Sequence, residues 1–119
     1  MNYQPLIKQA EDFVTKYIRE NENPDLVYHN LLHTQNIVAA TNQIARHYQL
    51  SDKKYFIVIS AAWFLHLGYY EDVLHPEEAS AKMAGEFLKN SGFEKENKKS
   101  CYKKFHSKII IFYSSFKVD

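Results

Sequence analysis

Three histidines at long and uneven spacing, His33, His66 and His75, are the side chains of this sequence with the clearest potential for chemistry. Each stands near an expected helix end, and the acidic stretch 71–78 surrounds the last of them. Histidine nitrogens that converge with carboxylates near helix ends are how a helical protein builds a divalent-metal site. His29 stands four residues before His33, so both would share one face of a helix that contained them. The spacing makes a metal site one interpretation of these residues.

Each histidine also has a structural interpretation. Two histidines four residues apart occur often by chance, and His29 stands close to the expected start of its helix. His66, at the end of an apolar helix, would more commonly bond to a backbone carbonyl, and His75, before a proline, would more commonly cap a helix or face solvent. Ser80 has no partner base at motif spacing, and a structural role fits the single Cys101 better than a reactive one.

Length and composition restrict the class of protein. The chain has 119 residues with 45% apolar and 15% aromatic content, which predicts one folded domain. Its 15 basic and 14 acidic residues are nearly balanced, so we expect no nucleic-acid partner. The apolar runs are too short to span a bilayer, and no signal sequence is apparent. With a single cysteine, these features predict a cytoplasmic protein with no membrane partner.

Apolar periodicity predicts four helices and no strand. The first starts at Pro5, the second runs from Asn30 to Tyr48, the third from a Ser51 cap through Leu67 until Gly68 ends it, and the fourth from Pro76 to about Asn90. The third is apolar nearly all round and should be central. The residues expected to face inward are Leu6, Ile7, Ala10, Phe13, Val14, Tyr17 and Ile18 in the first helix, Leu31, Ile37, Val38, Thr41, Ile44, Ala45 and Tyr48 in the second, and Ala79, Met83, Ala84, Phe87 and Leu88 in the fourth.

Residues 94–119 differ from the rest because lysines and aromatic residues alternate there, followed by the apolar run 109–116. A solvated helix face is the usual meaning of such lysines, and a basic binding patch is the alternative. The apolar run should pack as a last helix or mediate a homodimer contact, since it would promote aggregation if exposed. The predicted fold is therefore all-α, a single-domain orthogonal bundle of about five helices, with a helical domain over 1–93 and a C-terminal segment over 94–119.

Three motifs occur in a distinctive order: the stretch 28–34 (YHNLLHT), the stretch 61–69 (AAWFLHLGY) and the stretch 77–80 (EEAS). Over about residues 5–93 the chain resembles the HD superfamily of metal-dependent phosphohydrolases, in particular a small bacterial branch. The resemblance implies an HD-like helical bundle that binds zinc, manganese, iron or magnesium. It also implies water activated for attack on a small-molecule phosphoester such as a nucleotide, and it places His33 at the first ligand position.

The sequence departs from that family at the ligands. Leu65 and His66 stand where the family has a His-Asp pair, so a histidine ligand is replaced by a hydrocarbon and a carboxylate by an imidazole. Pro76 stands at the family's next histidine, and His75 lies one position early. One helical residue rotates a side chain by about 100°, so His66 does not simply substitute for residue 65. The family's last metal-binding aspartate lies in a segment that has no counterpart here.

Two functions of different class follow. The first is a phosphohydrolase-like enzyme with a rebuilt mononuclear site, in which His33, His66 and His75 bind the metal and Glu71, Asp72 or Glu77 supplies oxygen. The second is a catalytically inactive HD-like module that binds a ligand or partner, and the lost ligands favour reduced or absent hydrolysis. The departures also leave open whether a metal binds at all. A third, weaker alternative treats the C-terminal segment as a dimerisation element.

Overall fold

A computed structural model of the chain describes residues 2–22, 24, 30–72 and 74–90. Within them the chain forms four α-helices and a short 3₁₀ turn, and none of these residues is in a strand. The all-α prediction is therefore confirmed, while the predicted last helix, in 94–119, and His29 lie outside the described residues. The elements are α1 Gln4–Glu20, α2 Leu31–His47, α3 Asp52–Phe64, the 3₁₀ turn Leu67–Tyr70, and α4 Pro76–Asn90.

Helix α3 is the centre of the bundle, as its apolar sequence predicts. It packs against α1, α2 and α4, and eight of its 13 residues are buried. A helix with no polar face is stable only where neighbours cover every side of it. In the part of the chain with described structure, no helix combines the length and the apolar character needed to cross a membrane.

Helix α1 follows the predicted periodicity with one exception. Leu6, Ala10, Val14 and Ile18 repeat every four residues and are buried, so they form the stripe that faces α3. Phe13 was expected in the core, but 41% of its surface is exposed. It lies at the edge of that stripe, where it borders a surface recess described below.

Helix α2 has well-defined ends. The Asn30 side chain accepts the His33 backbone N–H at 2.9 Å, so Asn30 is the predicted N-cap. Two of its residues that were expected to face inward, Ile44 and Tyr48, are instead 54% and 70% exposed. The buried residues in this half of α2 are Thr41 and Ala45, which are four residues apart, so the inward-facing stripe is narrower than predicted.

Helix α3 ends earlier than predicted, at Phe64, and Gly68 has a different role from the expected helix stop. The chain turns at Leu65 and His66 into the 3₁₀ turn that contains Gly68. A Cβ atom on Gly68 would lie 1.9 Å from the Pro76 carbonyl oxygen. The glycine is therefore required because the start of α4 approaches the backbone there.

Candidate functional site

The structure brings two of the three candidate histidines together. His33 lies in the first turn of α2 and His66 directly before the 3₁₀ turn, and their ring centroids are 4.9 Å apart with the planes at 70°. Both residues are half-buried. An edge-to-face arrangement at this distance puts the two imidazole rings in direct contact.

Local structure positions both of these residues. The Asn30 cap holds the His33 backbone in the first turn of α2. On the other side, Tyr69 lies beside His66, with ring centroids 5.8 Å apart. The contact between the two histidines therefore depends on how α2 begins and how α3 ends.

Leu65, which the resemblance aligns with a histidine ligand, has no exposed surface at all. Its carbonyl oxygen accepts a hydrogen bond from the Ser80 hydroxyl of α4 at 3.1 Å. The same hydroxyl accepts the Gly68 N–H at 2.8 Å. Ser80 thus anchors the backbone on both sides of His66.

His75 has different partners from the other two histidines. Its Nδ1 atom lies 3.4 Å from Asp72 Oδ2, and 61% of its side chain is exposed. Asp72 Oδ1 also accepts the backbone N–H groups of Leu74 and His75, at 3.0 and 3.2 Å. Slight burial would raise the pKa of Asp72, but these two hydrogen bonds and the nearby imidazole outweigh it and hold that pKa below its ordinary value.

His75 and Asp72 border a recess of about 590 Å³ between α1, α4 and the turn that joins the 3₁₀ turn to α4. At its α1 side, the Tyr17 hydroxyl donates a hydrogen bond to the Glu71 carboxylate. Partial burial, followed by the hydrogen bond to Glu71 and its negative charge, raises the pKa of Tyr17 well above the ordinary tyrosine value. His33 and His66 do not line this recess.

The described residues match only part of the metal site that the family resemblance implies. His33 and His66 can supply two imidazole nitrogens, the ligand type that zinc, copper, iron and nickel accept. Among residues 2–22, 24, 30–72 and 74–90, no three His, Cys, Asp or Glu side chains converge as a metal-binding group. The metal site with His33, His66 and His75 as ligands therefore stays a prediction.

Sequence reasoning did not anticipate the recess. The α4 wall of the recess consists of two neighbouring stripes of residues spaced four apart, one apolar and one charged. The apolar periodicity of α4 predicts that the apolar stripe lies wholly in the core. The exposure of Phe13 on α1 would have revealed the recess, but the pattern of apolar residues along one helix does not show which face a neighbouring helix leaves uncovered.

In comparisons with known proteins, no family model, curated protein or solved structure matches this chain.

Proposed function

We propose that this chain is an HD-type, phosphohydrolase-like domain whose ligands are small phosphoesters such as nucleotides, with reduced or lost metal-dependent hydrolysis. The observation that carries the proposal is the ring contact between His33 and His66. The two motifs that suggest the family supply one ring each, although 33 positions separate them in sequence. A contact between two such motifs is what a shared binding site requires.

An imidazole can help to bind a phosphoester in either of its two protonation states. A neutral imidazole offers a lone pair to a divalent metal, and a protonated imidazole donates N–H groups to phosphate oxygens. Both rings are half-buried, so a ligand bound beside them would be partly shielded from water and its polar contacts strengthened. A divalent metal, when bound, would act as a Lewis acid on the phosphoester.

Hydrolysis is expected to be weaker than in a complete HD site. His66 replaces a carboxylate that could bridge two metals, and an imidazole nitrogen binds only one. Leu65 replaces a ligand by a hydrocarbon that is fully buried. The two-metal arrangement, which stabilises both the attacking and the leaving oxygen, therefore lacks its bridging group.

A specific observation favours the second candidate, a module that binds a phosphoester or partner without hydrolysis. Ser80 holds the Leu65 carbonyl and the Gly68 N–H at once, so the backbone around His66 is fixed to α4. The fully buried Leu65 side chain offers no ligand atom at this anchored turn. The anchoring thus supports a site with imidazoles from His33 and His66 alone.

A panel of nucleotides and simple phosphoesters distinguishes the candidates. Wild-type protein, His33→Ala and the control His47→Ala would be assayed for binding and for phosphate release with Mg²⁺, Mn²⁺, Fe²⁺ and Zn²⁺. His47 is an exposed residue at the other end of α2, so its loss should change nothing. If the wild type hydrolyses a phosphoester and His33→Ala does not, the enzyme is supported. If the wild type binds a phosphoester without hydrolysing it, and His33→Ala does not bind it, the module is supported. Neither binding nor turnover with any metal would overturn the proposal.

A further inference from the structure

The recess between α1 and α4, which we call the acidic groove, has an aromatic floor. Phe13 packs against Phe64 and Phe87 with ring centroids 5.8 Å apart in each case, and those two rings are 5.5 Å from each other. Ala79 and Met83 of α4 extend the floor. Phe13 nevertheless remains 41% exposed. An apolar floor in a recess of about 590 Å³ is the kind of surface that binds another group.

The rim of the groove is strongly acidic. Glu78, Lys82 and Glu86 repeat every four residues along α4 and form one stripe beside the apolar one. Glu71 and Asp72, which follow the 3₁₀ turn, add two more carboxylates. Four carboxylates against one lysine favour a ligand that combines positive charge with an apolar body.

One stretch of this chain has that composition. The segment 94–119 contains seven lysines and three acidic residues, together with Tyr102, Phe105 and the apolar run 109–116. It follows Asn90, which itself lines the groove at the end of α4. We propose that the acidic groove is the docking site of the chain's own segment 94–119, whose placement lies outside the described residues.

The tether and the charges both favour this occupant. Because the segment begins four residues after Asn90, its local concentration at the groove exceeds that of any free partner. Its lysines meet the carboxylate rim, and its aromatic residues can cover Phe13 and Met83. Rim charges are solvent-exposed, so this part of the interaction should weaken as salt screens it.

The chain offers its own probes for a test. Cys101 is the only cysteine and lies within the segment, so a nitroxide spin label can be attached there. Met83 is one of only two methionines, so its labelled methyl group gives a nearly isolated NMR signal from the groove floor. Ala39, beside a separate recess formed by α1, α2 and α3, serves as the reference position.

We expect the nitroxide to remove most of the Met83 methyl signal while the Ala39 signal survives. The charge-reversed variant Glu78→Lys/Glu86→Lys, or high salt, should restore the Met83 signal, and Glu20→Lys, an exposed acid outside the groove, should not. The proposal would be overturned if the nitroxide affected the Met83 and Ala39 signals equally. It would also be overturned if the Met83 signal were lost to the same extent in the charge-reversed variant. Broadening that appears only between molecules in a mixed sample would overturn it too, because the occupant would then be a second copy.

Discussion

The Ser80 hydroxyl accepts the Gly68 N–H at 2.8 Å and thereby joins α4 to the turn that follows α3. The same oxygen donates to the Leu65 carbonyl at 3.1 Å, and Ser80 is fully buried. One side chain therefore satisfies two backbone groups of the turn. Since His66 lies between those two groups, this small network also positions the histidine pair.

Replacing Ser80 by alanine should destabilise the protein by about 1–3 kcal/mol, because the Leu65 carbonyl and the Gly68 N–H would stay buried without that partner. Chemical denaturation followed by circular dichroism measures this change. The matched control is Ser60→Ala, since the equally buried Ser60 hydroxyl has no hydrogen-bond partner among the described residues. Its loss should be neutral or slightly stabilising. Equal effects of the two substitutions would refute the role given to Ser80.

Gly68→Ala should destabilise the fold by about 1–3 kcal/mol or more, since overpacking of a close contact is costly. The added Cβ would lie 1.9 Å from the Pro76 carbonyl oxygen and 2.7 Å from Ser80 Oγ. The nearest atom belongs to the backbone, so adding Ser80→Gly should not rescue the variant. Thermal midpoints of the single and double variants test this. A Gly68→Ala protein as stable as wild type would mean that α4 does not approach the turn so closely.

Gln49→Gly should stabilise the protein by about 1 kcal/mol. Gln49 has a φ of 52°, and it follows the end of α2 in a Schellman arrangement. The Leu50 N–H donates to the Ala45 carbonyl at 3.3 Å, and the Gln49 N–H donates to the Arg46 carbonyl at 3.1 Å. Glycine adopts this left-handed conformation without the Cβ penalty. Gln49→Ala, which keeps a Cβ, should lack the gain; an equal gain in both variants would contradict the explanation.

The pKa of Tyr17 should fall in Glu71→Gln but stay above the ordinary tyrosine value. Burial is the largest cause of its elevation and would persist, whereas the hydrogen bond to a charged carboxylate would be lost. A titration of ¹³Cζ-labelled tyrosine by NMR measures it, with Glu78→Gln as the control. Because the folded-state pKa is raised, the neutral phenol contributes stability below the unfolded-state pKa. That contribution to stability is lost as pH rises from the unfolded-state pKa through the folded-state pKa. A smaller loss of stability over this pH range is expected in Glu71→Gln. An unchanged Tyr17 pKa would contradict the contact.

Local sequence signals predicted most of the fold. Apolar spacing located α1, the Asn30 and Ser51 side chains identified the starts of α2 and α3, and Pro76 marked the start of α4. The end of α3 was missed because the Ser80 hydroxyl and the close approach of Pro76 determine it. Both contacts involve residues of another helix, and the Ser80 contacts span 12 and 15 positions, so no local pattern encodes them.

The candidate site was predictable only in part. Motif order suggested that His33 and His66 belong to one site, and the structure brings their rings together. The resemblance groups His75 with them; its described partner is Asp72, and its place in a metal site stays a prediction. A shift of one residue within a turn changes the surface at which a side chain lies. Sequence spacing alone does not show at which surface such a side chain lies.

Calorimetry measures directly whether His33 and His66 form the remaining half of an HD-type metal and phosphoester site, as we propose. Zn²⁺ and Mn²⁺ would be titrated into chelator-free wild type, His33→Ala, His66→Ala and the control His47→Ala. We predict one ion per chain in wild type and His47→Ala, with affinity reduced by at least about tenfold, or 1.4 kcal/mol, in each of the other two. Binding of equal strength in all four proteins, or no binding in wild type, would contradict the claim.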